Sequence, residues 1–427
     1  MTNKIDSVIN KIKSSLFLKQ ASSLGAGTIA AHLITLAISP VITRMYTPDE
    51  FGVYSLFHSI VVTLSYVATA SYEYAIVLPK EEKKGKQLFK TALIISLLFT
   101  FLSYLGLYLT APYLSSEFAL SIPFLLLLPL GILFYSGYKT YMYWSIRKEY
   151  YSTIAWSKIT MSGGTGFFQL GFGVMGFTGI GLFSGYVIGR LAAVCTMFFS
   201  NINEYTKLIK SWQYKPVKNV VQEYIDHPKY VLTSSLLSTG SIELPVFLIG
   251  YLFGSEELGF YGLAFRVLMA PVTLVSVSVG HVFFQRFAKR KNNRLPLAEY
   301  LVKMWRILFA VSVIPFAIIF IYSESVFTLI FGDEWIIAGT IGSVLAPMLL
   351  FTFITTPTSK ALLVLEKQKV LPVFSTVSIV VRLVALVGGS IYLDFIMALW
   401  LMAAGQIIIY IIQNIYTFYC AKRIDLR

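Results

Sequence analysis

Apolar runs of about 20 or more residues recur along the whole chain, each long enough to cross the hydrocarbon core of a bilayer as a helix. They predict twelve spans, at residues 24–44, 51–78, 89–112, 118–145, 153–174, 176–200, 230–253, 258–285, 300–322, 336–363, 370–393 and 395–418. Hydrocarbon offers the backbone no hydrogen-bond partner, so each run is expected to be helical. The short alternating segments of an outer-membrane barrel are absent from the sequence.

The polar connections between the runs alternate in charge. Residues 80–90, 147–148, 203–229, 286–294, 366–369 and 422–427 are rich in Lys and Arg. The intervening turns carry none, and hold acids such as Asp49, Glu50, Glu117, Glu256, Glu257, Glu324, Asp333, Glu334 and Asp394. The positive-inside rule then puts both termini in the cytoplasm. The longest basic connection divides the chain into a basic amphipathic segment at 1–20, a six-helix bundle at 21–202, a cytoplasmic linker at 203–228 and a second six-helix bundle at 229–427. Six spans precede the linker, so the second bundle enters the membrane in the same orientation as the first. A pseudo-two-fold axis along the membrane normal is expected to relate them.

Internal repetition supports that division. The hairpin Thr43-Arg-Met-Tyr-Thr-Pro-Asp-Glu-Phe-Gly-Val-Tyr-Ser-Leu-Phe57 is answered 207 positions on, where Glu50, Gly52, Tyr54 and Leu56 recur as Glu257, Gly259, Tyr261 and Leu263. Pro40 is matched by Pro245 and, at a shift of 218, Pro129 by Pro347. Ordered correspondences of this kind mark a duplicated architecture.

Composition agrees with a membrane protein. Hydrophobic residues make up 56% of the chain and charged ones 13%, with a mean hydropathy of +0.71, outside the range of soluble domains of this length. A net charge of +14 on a soluble surface would suggest nucleic acid, but here the cations sit in the loops on one side of the membrane. Cys195 lies in a span and Cys420 near a cytoplasmic end, so no disulfide is expected. Ile5, Val8, Ile9, Ile12 and Leu16 with Lys4, Lys11 and Lys13 read as a helix lying on the inner surface, and no cleavable signal peptide is visible.

No enzymatic constellation emerges. The four histidines, at 32, 58, 227 and 281, have no metal-ligand spacing, and the Gly-rich stretch from Gly163 to Gly189 lacks the Lys-Ser/Thr of a nucleotide loop. Those glycines suit close helix packing. What demands explanation is a set of ionisable residues inside the spans: Glu73, Lys139, Lys158, Arg190, Glu243, Arg266, Lys360 and Arg382. A charge at mid-bilayer costs about 2.5–3.5 kcal/mol even on the lenient insertion scale. Internal pairing or a polar cavity would offset that for Arg190 and Arg382, snorkelling for Lys158, and a bridge to the acidic hairpin for Arg44.

Helical geometry gathers three polar stripes. Ser59, Tyr66 and Glu73 lie seven apart, their 207-shifted counterparts are Arg266, Thr273 and Gly280, and Ser235, Thr239 and Glu243 are spaced by four. The stripes are expected to line a water-filled cleft between the halves.

The hairpin from Arg44 to Tyr54, His227-Pro-Lys-Tyr230, Glu243-Leu-Pro245, Gly259-Phe-Tyr-Gly-Leu-Ala-Phe-Arg266 followed by Pro271, and Phe331-Gly-Asp-Glu-Trp335 resemble the O-antigen and polysaccharide flippase family. That family is the polysaccharide branch of the multidrug, oligosaccharidyl-lipid and polysaccharide exporter (MOP) superfamily. The resemblance covers most of the chain. It implies an all-α polytopic fold of twelve transmembrane helices like that of multidrug and toxic compound extrusion (MATE) transporters. It also implies a central cationic cleft and export of an undecaprenyl-diphosphate-linked oligosaccharide, an O-antigen or similar unit, across the bacterial inner membrane. Implied partners are this lipid-linked substrate, membrane lipids, H⁺ or Na⁺, and polysaccharide polymerase and chain-length machinery; no cofactor is expected. Arg266, with Arg190, Arg382, Arg44, Ser59, Tyr66 and Thr239, would contact substrate, since guanidinium grips phosphate oxygens in pairs. Glu73 and Glu243 are the ion-coupling candidates. A cation-coupled drug exporter of the same superfamily and a membrane-embedded glycan polymerase or acyltransferase stand as alternatives. The first calls for a smaller, more acidic pocket, the second for a large outer loop or a His/Asp pair.

Overall fold

The computed structural model describes residues 23–117, 121–177, 179–210 and 220–426. The expected amphipathic segment at 1–20 and residues 211–219 of the expected linker lie outside these. Among the described residues all regular structure is helical.

The elements are α1 (Ser23–Ile42), α2 (Pro48–Thr69), α3 (Tyr72–Ala75), α4 (Glu82–Glu117), α5 (Ile122–Arg147), α6 (Tyr151–Val174), α7 (Ile180–Ser200), α8 (Ile202–Lys210), α9 (Leu232–Leu252), α10 (Ser255–Asn292), α11 (Leu297–Phe331), α12 (Ile336–Thr358), α13 (Ala361–Val364), α14 (Val370–Tyr392) and α15 (Phe395–Asp425). A single π-helical turn, His227–Val231, leads into α9.

A long helix stands at each of the twelve expected positions, but only eleven described segments are apolar and long enough to cross a membrane. The exception is α6, whose Ser, Thr and Gly residues and Lys158 dilute its hydropathy. The chain is thus a multi-pass integral membrane protein, with eleven clear spans among the described residues.

The expected span at 51–78 is not one helix. α2 stops at Thr69, and Ala70 and Ser71 adopt φ of 48° and 58° before α3 begins. Left-handed backbone at a residue with a Cβ costs on the order of 1 kcal/mol or more, so surrounding contacts must hold it. Those contacts are the polar cluster around Glu73 described below.

Two compact units emerge from packing. Unit 1 comprises the described residues up to Ser39 together with Ile60–Thr233, and unit 2 comprises Pro40–Ser59 with Ser234–Arg427. Unit 1 has an aromatic core of Tyr72, Phe89, Tyr141, Trp144 and Tyr205. Its connection after residue 219 is docked rather than free: Val220 is buried in this core, and Tyr72 donates a hydrogen bond to the Val221 carbonyl at 3.1 Å. The Arg147 guanidinium gathers the carbonyls of Ile76, Pro79 and Glu81 at the end of the broken helix. The expected packing role of the Gly-rich stretch is visible at Gly185 and Gly189 of α7, which lie against Gln169 and Thr165 of α6.

Unit 2 is stitched at both ends. Asp425, on the last turn of α15, accepts hydrogen bonds from the Leu297 and Ala298 amides at 2.7 and 2.8 Å, capping the start of α11. Near them Phe283, Phe287 and Tyr300 stack. At the other end α2 and α10 touch through backbone. A Cβ at Gly52 would collide with the Ser255 carbonyl, and one at Gly259 with the Pro48 carbonyl. The 207-residue shift that maps Gly52 onto Gly259 also maps Pro48 onto Ser255, so the two contacts are reciprocal. Asp49 receives a hydrogen bond from Ser255 at the same crossing. Trp335 is fully buried there and donates to the Thr43 carbonyl at 3.0 Å.

Candidate functional site

In unit 1 the deepest charges belong to Glu73 and Lys139. Glu73 is wholly buried on α3, and its Oε1 lies 2.8 Å from Lys139 Nζ on α5. Thr69 donates its hydroxyl to the other carboxylate oxygen at 2.5 Å, across the break between α2 and α3. The face of the Tyr66 ring covers the ammonium, 3.3 Å from Nζ to the centroid. Attraction between opposite charges in a low-dielectric interior, with a π face and a hydroxyl completing the shell, offsets the cost of stripping both ions of water. The protein itself supplies the counter-ion of Glu73.

Arg190, on α7 of the same unit, lies face to face with Tyr186, 3.2 Å from the ring centroid, and donates to Thr165 at 3.1 Å. The ammonium of Lys158, expected from the sequence to snorkel, donates to Thr28 on α1 at 2.8 Å.

Unit 2 holds the remaining candidates. Glu243 on α9 accepts a hydrogen bond from the buried hydroxyl of Ser59 at 2.5 Å. Thr239 lies half-buried one turn earlier on the same helix. Arg266 on α10 interacts electrostatically with Glu243 and has its guanidinium over the Tyr54 ring, 4.8 Å from the centroid. None of the Arg266 N–H groups donates to a described residue. Arg382 is committed more fully: it donates to Gln406 Oε1 at 3.2 Å and to the Ser241 carbonyl, and Gln406 in turn donates to Ser378.

Arg44 is exposed and forms no ion pair with a described residue, so the expected bridge to the acidic hairpin is absent. Asp49 is taken by Ser255, and Glu50 accepts the Thr47 amide at 2.9 Å as a helix cap. Burial pushes the nearby Tyr46 phenol up to about 12, aided by the charge of Glu50.

Thus Ser59, Glu243 and Arg266 are neighbours in unit 2, and Tyr66 and Glu73 are neighbours in unit 1. Arg190 and Arg382 sit in separate networks. Sequence reasoning missed Lys139 as the partner of Glu73, Gln406 as the partner of Arg382, and Tyr54 as the platform of Arg266. Gln406 carried a readable signal, an amide set between Met402-Ala-Ala-Gly405 and Ile407-Ile-Ile-Tyr410 in the middle of an apolar run. Among the described residues no group of three or more His, Cys, Asp or Glu is placed to hold a metal ion.

The family model described as "Polysaccharide biosynthesis protein" matches residues 41–340. The chain belongs to that family. The teichuronic acid biosynthesis protein TuaB of Bacillus subtilis (strain 168) is 28% identical over 143 residues. That match takes in 34% of this chain and 30% of the relative's length.

Solved structures agree on the fold of this family member. The lipid II flippase MurJ in an inward closed conformation superposes with a TM-score of 0.69 at 15% identity, over 94% of this chain and 90% of that one. A MOP superfamily transporter from Pyrococcus furiosus gives 0.63 at 12% identity, over 95% and 96%. An inward-facing MATE family multidrug transporter gives 0.61 at 13%, over 95% and 94%. The all-helical architecture is therefore the one these solved transporters share.

Proposed function

We propose that this polysaccharide biosynthesis protein is a flippase, carrying an undecaprenyl-diphosphate-linked oligosaccharide from the cytoplasmic to the periplasmic leaflet of the bacterial inner membrane by alternating access. Both termini face the cytoplasm in this reading, which the alternation of basic and acidic connections supports. The physical problem fits the fold. A glycan hydroxyl left unpaired in hydrocarbon costs several kcal/mol, and a diphosphate far more, so the headgroup needs polar company while the lipid tail stays in the bilayer.

One observation carries the proposal: the Arg266 guanidinium, inside a membrane-crossing helix, lies over the Tyr54 ring, 4.8 Å from its centroid, with its N–H groups uncommitted to described residues. A planar, permanently charged fork in that condition is matched to a phosphate or an acidic sugar. Ser59, Thr239 and Glu243 supply neutral and acidic hydrogen-bonding groups in the same unit. Arg382 and Arg190, already engaged, act as fixed positive charge. Glu243 is the ion-coupling group in this reading, because the charge of Glu73 is already balanced by Lys139.

The test is reconstitution. In vesicles loaded with a fluorescent lipid-linked oligosaccharide, the wild type should expose the label to an external quencher and Arg266→Ala should slow this by about ten- to a hundredfold, the worth of one charge-assisted contact. Equal rates for the two proteins would refute the role of Arg266. Absence of any flipping by the wild type, with drug efflux in its place, would refute the proposal itself.

A further inference from the structure

The duplication gives the Glu73 cluster of unit 1 a counterpart in unit 2 that lacks its centre. In unit 1 three groups meet: the Thr69 hydroxyl, the Glu73 carboxylate and the Lys139 ammonium. A shift of 207 maps Thr69 onto Ser276 and Glu73 onto Gly280, both on α10. The shift of 218 set by Pro129 and Pro347 maps Lys139 onto Pro357, one helical turn before Lys360.

Unit 2 keeps the outer members of the trio. The Ser276 hydroxyl is buried and has no hydrogen-bond partner among the described residues. Lys360 forms no ion pair with a described residue, and its Nζ lies 3.5 Å from where a Cβ on Gly280 would stand, with Pro357 Cα at 3.6 Å. His281, the next residue, feels the charge of Lys360. An ammonium and an orphan hydroxyl thus flank a glycine at the place where unit 1 puts its carboxylate.

We infer that Ser276, Gly280 and Lys360 form an anion site that takes the phosphate of a lipid headgroup, the incoming ligand supplying the negative charge that Glu73 supplies in unit 1. A phosphate oxygen accepts from both the ammonium and the hydroxyl, and Gly280 puts no side chain of its own between them. The site lies toward the basic end of α10, whose last turn carries Lys289, Arg290 and Lys291. Under the proposed flippase reading, on which the choice of a lipid phosphate rests, that end faces the leaflet from which substrate enters. The same chemistry is offered by a polyprenyl diphosphate and by a bulk anionic phospholipid.

Native mass spectrometry of the purified full chain, titrated separately with undecaprenyl diphosphate, phosphatidylglycerol and inorganic phosphate, tests this. Lys360→Met and Gly280→Glu, the latter restoring an internal carboxylate, should each weaken lipid-phosphate binding by about tenfold or more. The monodispersity and thermal midpoint of each variant in detergent serve as the folding control. A loss confined to the diphosphate identifies the carrier lipid as ligand, and an equal loss for phosphatidylglycerol identifies bulk lipid. Binding of both lipids unchanged in Lys360→Met or in a monodisperse Gly280→Glu overturns the inference, as does a Lys360-dependent affinity for inorganic phosphate alone. Flipping is scored separately: its presence without Lys360-dependent binding removes this site only, whereas Lys360-dependent binding without flipping removes only the transport reading.

Discussion

Glu73 and Lys139 show how one pair of side chains can dictate a backbone. Thr69 donates to Glu73 across two left-handed residues, and Lys139 fixes the carboxylate from the facing helix. Removing one partner leaves the other charged and buried, which costs about 3–5 kcal/mol. Glu73→Gln and Lys139→Met should therefore each lower the thermal midpoint of the detergent-solubilised protein markedly. The double substitution should recover much of the loss, a coupling that a double-mutant cycle would read directly. At this scale the sequence was informative about which residues matter and silent about how they pair. Both were visible as charges where hydrocarbon excludes them, but 66 positions separate them and helix periodicity says nothing about which faces meet. Arg44 shows the opposite error. Proximity in sequence to Asp49 and Glu50 suggested a bridge, yet both acids serve the ends of helices instead.

Helices were the most legible level. Length and apolarity alone locate the long helices, because a chain in lipid has no other way to satisfy its backbone. Their interruptions were less visible: neither Ala70 nor Ser71 advertises a break, since tertiary contacts rather than local propensity impose it. Helix ends also depend on partners distant in sequence. Asp425 caps α11 from 128 positions away, and Asp425→Ala should cost about 0.5–2 kcal/mol. Hydrogen exchange should localise that effect, with faster exchange at the Leu297 and Ala298 amides and little change in α5. On α10, Gly259→Ala must push its methyl against the Pro48 carbonyl. Overpacking of this kind costs about 1–3 kcal/mol, so the variant should melt earlier than Gly280→Ala, whose methyl meets its neighbours only at ordinary contact distance.

For the molecule as a whole, the charge alternation yields a topology that can be measured. With Cys195 and Cys420 replaced, a cysteine at Thr47 should react with an impermeant maleimide added to intact cells, and one at Asn293 should react only after the membrane is opened. The reverse pattern would invert the assigned direction of transport. The reciprocal crossing of α2 and α10 has a further consequence. Residue i touching j′ while j touches i′ is the mark of an isologous interface, the kind formed by two identical chains around a dyad. The segment thus behaves as a fused homodimer contact, with Gly52 and Gly259 interchangeable in role. A chimera in which residues 48–55 are copied onto 255–262 should keep the interlock intact.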